Sequence, residues 1–187
     1  MFVYLGRGAL DALVMDRLVG KHPDFKLPPS DQEIFRTSLD EGNGVIAIGG
    51  HVGNWELCAQ AIAAAGFPLS VIASPLYDPR LTRLVDRFRS QHGMRVLWRG
   101  ESSVSKDMLR VFKRGEILAM LIDQDTKVQG TLVPFFGRPA YTPTAAAQLA
   151  LRFRASIVLG FVLHQGRGYR YRFERFRYTD DATPQSL

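Results

Sequence analysis

Apolar and polar positions change rhythm along this chain. Over residues 2–19, Leu5, Leu10, Leu13, Val14 and Leu18 recur at helical spacing and predict an amphipathic helix. Residues 20–29 contain His22-Pro23 and Pro28-Pro29 and read as a loop. Ser30 followed by Glu33 is an N-cap signature, which places a second helix over 31–40. The short apolar run GVIAIGG, Gly44 to Gly50, then reads as a buried strand. Beyond it the pattern predicts helices over 54–65, 79–91, 102–114 and 143–153. Strands are expected over 69–73, 95–98, 117–122, 156–163 and 168–178, the last with alternating character. Strand–helix–strand alternation with continuously apolar strands predicts an α/β fold with a mainly parallel, helix-covered sheet. In such sheets, sites form in loops after the carboxyl ends of strands. The two most distinctive polar clusters, His51 to Glu56 and Asp123-Gln124-Asp125, both follow predicted strands and are expected to share one cleft.

Composition narrows the class. The 187 residues are 46% hydrophobic and 22% charged, with aromatic and aliphatic residues spread throughout, which excludes disorder and fits one globular domain over 1–187. The single cysteine, Cys58, excludes an internal disulfide and a cysteine-rich metal site. A net charge of +6 and a pI near 9.8 favour an acidic partner: nucleic acid, an anionic membrane surface, or an acidic protein or headgroup. No recognisable nucleic-acid-binding motif accompanies the charge, so nucleic acid is not an expected partner. No apolar run approaches the ~18 residues of a membrane span, and the opening MFVYLGRGALDALVM lacks the basic leader of a signal peptide.

The chemistry concentrates in GGHVGNWE, Gly49 to Glu56. A glycine pair ends the strand and Gly53 permits a tight turn into the next helix. Across that turn the Glu56 carboxylate is expected to reach the Nδ1–H of His51, leaving Nε2 to accept a proton. A hydroxyl acceptor needs such a base, because it does not ionise near neutral pH. The pair is the base-and-orienter half of a catalytic triad without an enzyme nucleophile. Backbone N–H groups at the helix start are candidates for steadying an oxyanion. Alone, the spacing also describes a loop histidine and a carboxylate favoured by a helix dipole.

The surrounding segments add weight. GGHVGNWE resembles the H-x4-D/E motif of the lysophospholipid and glycerolipid acyltransferase superfamily, and more closely the bacterial lipid A biosynthesis (late) acyltransferases. RFRSQHG, with Arg89 and Gly93, KRGEILAMLIDQD, Lys113 to Asp125, and VPFFGRPAYTPTAAAQLAL, Val133 to Leu151, resemble further segments of that family in the same order. The likeness runs from about residue 2 to 175. It implies the glycerolipid-acyltransferase type of α/β fold. It also implies acyl transfer from an acyl carrier protein thioester to a hydroxyl of a phosphorylated glycolipid, a lipid A precursor, without metal or cofactor, at the cytoplasmic face of a bacterial inner membrane. His51 would be the base and Glu56 its positioning carboxylate. The chain departs from the pattern at Ser74-Pro75, where the family often has Arg-Pro, and is expected to lack the N-terminal membrane anchor and a C-terminal segment. A glycerolipid or mannoside acyltransferase, and a non-catalytic fragment that binds lipid or carrier protein, are the alternatives.

Candidate substrate-binding residues are Asn54, Arg89, Arg99, Asp123, Asp125, Phe135 and Phe136. Arg80, Arg83, Arg87 and Arg89 recur on one helix, as a landing surface for an acidic carrier or phosphorylated lipid or as a solvated face. Asp123 is expected to bond loop backbone or Arg89, or simply to end a strand. Phe135 and Phe136 line an acyl channel or belong to the core, and Trp55 either packs or lines the pocket. His92 and His164 are expected to be structural or surface residues, and Cys58 is not expected to be a nucleophile.

Overall fold

The computed structural model describes residues 17, 19, 21–90, 93–124, 127–166, 168–179, 181–185 and 187. The helix expected over 2–19 falls outside them apart from Arg17 and Val19. A 3-10 turn, Pro23–Phe25, leads into α1, Pro29–Asp40. The helix opens on Pro29 rather than after Ser30, since proline's missing N–H and fixed φ suit a first helical position. The order then runs β1 (Val45–Gly49), α2 (Trp55–Ala64), β2 (Leu69–Ala73), α3 (Pro79–Ser90), β3 (Arg95–Trp98), α4 (Val104–Lys113) and β4 (Ile117–Leu121). A hairpin of β5 (Gly130–Phe135) and β6 (Arg138–Pro143) follows, then α5 (Ala145–Phe153), β7 (Ser156–Gln165) and β8 (Gly168–Phe176).

The main sheet has six strands in the order β3-β2-β4-β1-β7-β8. All neighbours run parallel except β7 and β8, which form an antiparallel pair at one edge. The central strands are apolar at consecutive positions because both faces are covered. Val45, Ala47, Ile117 and Val158 join Phe35, Leu57 and Ala61 in one core, on the side of α1 and α2. Ile46, Leu118 and Ile157 join Val111, Phe112, Ala146 and Ala150 in the other, on the side of α4 and α5. Strand β8 has one solvated face, and so alternates: Tyr171 and Phe173 are buried while Arg170, Arg172 and Glu174 are exposed.

The expected α/β architecture is therefore present. The hairpin β5–β6 is new relative to the sequence reading. It forms its own two-stranded sheet, so no core-facing hydrophobic face marks it in the sequence.

Candidate active site

Parallel register builds the site. Strands β1 and β4 are neighbours, with Gly49 opposite Leu121. Two residues past each strand end, the chains stay level, and His51 meets Asp123. Asp123 Oδ2 accepts the His51 backbone N–H at 2.6 Å, and Asp123 Oδ1 lies 2.7 Å from His51 Nδ1. One carboxylate thus grips the histidine twice. A carboxylate at Nδ1 selects the tautomer with its proton there and turns the Nε2 lone pair outward. Burial works to raise the Asp123 pKa, but the hydrogen bonds from the His51 ring and amide, with the attraction of its charge, together outweigh it. The carboxyl is held below its usual range.

Two glycines make the approach possible. A Cβ at Gly50 would lie 2.9 Å from Asp123 Oδ2, so a side chain there would push the carboxylate off the histidine. Gly53 has φ +66°, and a Cβ there would fall 1.8 Å from the Val162 carbonyl oxygen. The adjacent Asn54 N–H donates to that same carbonyl at 3.0 Å, pinning the turn against β7.

The carboxylate beside the imidazole is Asp123, not Glu56 as the spacing predicted. Glu56 lies in the first turn of α2, where Arg89 of α3 takes both of its oxygens at 2.9 Å. The physical reason is directional. His51 precedes the helix and hydrogen-bonds across to β4, while Glu56 projects from α2 toward α3. Of the two partners expected for Asp123, loop backbone or Arg89, it takes the loop backbone at His51, because the Arg89 guanidinium is occupied by Glu56.

A cavity of about 670 Å³ opens beside this pair. His51, Glu56, Arg89 and Arg99 bring polar groups to it, and Val71, Ile72, Trp98, Met108, Met120 and Ile122 supply an apolar wall. Trp55 also lines it, edge-on to the His51 ring with centroids 5.0 Å apart. The cavity thus joins a largely apolar wall to a few polar groups, the His51 imidazole among them. Continuous apolar strands carry both core and cavity residues, so their pattern does not distinguish Ile72 or Met120 from ordinary packing.

Of the other candidates, Asn54 does not face the cavity. It is buried, its Oδ1 accepts the Leu57 N–H at 3.0 Å as the N-cap of α2, and its amide donates to the Tyr169 hydroxyl. Phe135 and Phe136 do not line it either; they are exposed, at 63% and 93%, on the tip of the β5–β6 hairpin. Asp125 and His92 lie outside the described residues. Arg80, Arg83 and Arg87 are exposed on α3, and His164 packs on the Tyr169 ring at 4.5 Å. Among the described residues, no His, Cys, Asp and Glu cluster is arranged to hold a metal.

The loops at the carboxyl ends of a parallel sheet thus set a carboxylate-held histidine beside a largely apolar cavity. The family model of bacterial lipid A biosynthesis acyltransferases matches residues 17–181, and the chain belongs to that family. It is also similar to the phosphatidylinositol mannoside acyltransferases of two Mycobacterium tuberculosis strains, CDC 1551/Oshkosh and ATCC 25618/H37Rv. Each is 23% identical over 136 residues, covering 72% of this chain and 43% of the relative. The chain thus spans less than half the length of these relatives.

Proposed function

We propose that this chain transfers a fatty acyl group from an acyl carrier protein thioester to a hydroxyl of a phosphorylated glycolipid, a lipid A precursor or a close analogue. In the reaction, His51 Nε2 takes the acceptor's proton as its oxygen attacks the thioester carbonyl. The tetrahedral intermediate collapses with loss of the C–S bond, and the imidazolium returns the proton to the departing thiolate. Asp123 holds the ring and stabilises its positive state. Glu56 acts through Arg89, fixing a guanidinium at the cavity wall where it can meet the phosphate or the carrier. Arg99 is a second cationic contact there. The apolar cavity takes the acyl chain. The setting is an anionic membrane surface, the cytoplasmic face of a bacterial inner membrane; no helix among the described residues is long and apolar enough to cross it.

The observation that carries this reading is the grip of Asp123 on His51, whose ring lines a largely apolar cavity. The test is an in vitro assay with defined acyl carrier protein donors and lipid A precursors, read by mass spectrometry. The wild-type chain acylates the acceptor and His51→Ala does not. Transfer retained by purified His51→Ala would sink the proposal. The similarity to mannoside acyltransferases favours one second reading, a mannoside hydroxyl as acceptor, so a mannosylated phosphoinositide belongs in the same assay.

A further inference from the structure

The β5–β6 hairpin spends exposed apolar surface with no benefit to the core. Leu132 is 66% exposed, Phe135 63% and Phe136 93%, on a two-stranded sheet separate from the main one. The two phenyl rings pack edge to face at 4.7 Å across a tight tip, where Phe136 and Gly137 both have positive φ. A bulky aromatic in that left-handed conformation is unfavourable, and the rings gain little from water. Exposed apolar patches of this kind mark contact surfaces.

Charge indicates the partner. From Thr126 to Phe173 the sequence has no acidic residue, while Lys127 precedes the hairpin's base and Arg138 follows its apolar tip. Arg138 pairs with Phe135 across the register. An exposed aromatic tip with an arginine beside it, in a stretch of sequence free of acidic residues, matches the acyl boundary of a bilayer with anionic headgroups above it. Position agrees. The base of the hairpin is built into the cavity wall through Val128 and Pro143, and Leu76 lines that same cavity beside the fully exposed Tyr77.

We infer that the Phe135–Phe136 tip inserts into an anionic lipid bilayer and sets the cavity mouth against the headgroup layer, so that lipid enters the site without crossing water. The inference rests on the acyl-transfer reading only for the purpose of the docking, not for its occurrence. Its experiment is flotation of the wild-type chain with mixed phosphatidylcholine–phosphatidylglycerol vesicles, beside Phe135→Ser/Phe136→Ser and His51→Ala. The expected result is that the double variant partitions about a hundredfold less, as two phenyl groups lose most of their burial, while keeping the wild-type unfolding midpoint. His51→Ala floats like wild type. Phe136→Trp adds an independent readout: its extra emission is blue-shifted and quenched by brominated lipid. A double variant that floats as well as wild type overturns the inference, as does a wild-type chain that ignores the vesicles. A wild-type dimer in the absence of lipid, dissolved by the same substitutions, would assign the tip to a second copy and overturn it too. If the chain floats through this tip yet transfers no acyl group, the acyl-transfer reading fails and the docking stands.

Discussion

Replacing Asp123 by Asn separates the carboxylate that the geometry selects from the one that the motif spacing suggested. The substitution is nearly isosteric, and Asn Oδ1 can still accept the His51 backbone N–H now held at 2.6 Å. What it removes is a negative charge next to the Nδ1 atom, now 2.7 Å away. With charge centres about 4 Å apart and an effective dielectric of about 20, that charge favours imidazolium by on the order of 4 kcal/mol. The two side chains are 31% and 37% exposed, so solvent screening reduces this to roughly half. About 2 kcal/mol corresponds to roughly a thirtyfold loss in rate. The Asn amide can also accept no proton from Nδ1–H without turning, so the wrong tautomer is populated and the loss grows to about 10² to 10³ in kcat. KM for the thioester should move little, since Asp123 does not line the cavity. Release of free thiol from a defined acyl thioester donor, with and without acceptor, measures both constants. If Asp123→Asn keeps kcat within about threefold while Glu56→Gln abolishes it, the assignment of the positioning carboxylate is refuted.

The remaining expectations use the same residues and their supports. Glu56→Gln breaks the two-pronged pair with the largely buried Arg89 side chain and should cost about 1–3 kcal/mol, seen as a drop in unfolding midpoint of about 2–4 °C per kcal/mol; its kcat should fall less than that of Asp123→Asn. Gly53→Ala forces a methyl group to within 1.8 Å of the Val162 oxygen at φ +66°, and urea unfolding should show a loss above about 4 kcal/mol or no folded protein. Because the Asp123 pKa is lowered on folding, its contribution to stability is present above the unfolded value and lost as pH falls through the folded one. The stability gap between wild type and Asp123→Asn should therefore hold above about pH 5 and close below about pH 4, by urea titration at each pH. Desolvation, with the charge of Asp31 adding to it, pushes the Cys58 thiol up to about 12, so iodoacetamide at mildly alkaline pH should label it only after denaturation.

The elements that were legible in the sequence are those whose pattern is local. Residues 69–73 and 95–98 coincide with β2 and β3, because short apolar runs bounded by turn residues say strand without help from partners. The GGHVGNWE turn was legible for the same reason: the glycine pair marks the strand end and Gly53 the tight turn, whereas the approach of the Asp123 carboxylate to Gly50 is visible only in the structure. The partner of His51 was not legible. Spacing along the chain pointed to Glu56, five residues away, whereas the contact is made across the ladder by a residue 72 positions distant. Only the strand order and the Gly49–Leu121 register bring Asp123 there. The hairpin was missed because its apolar residues face outward, so the inside–outside rule that organises a sheet in sequence does not apply to Leu132, Phe135 and Phe136.

The central placement of β1 and β4 also has a kinetic meaning. The histidine and its carboxylate are contributed by the loops after two strands that neighbour each other in space but not along the chain, with α2, β2, α3, β3 and α4 intervening. Parallel pairing of this kind closes a long loop and is among the slower events in folding. A refolding chain can form α2, and with it the Asn54 cap, well before Asp123 reaches His51. On the proposed mechanism, recovery of turnover is therefore a clock for the closing of the sheet's centre, and it lags any signal that reports helix alone.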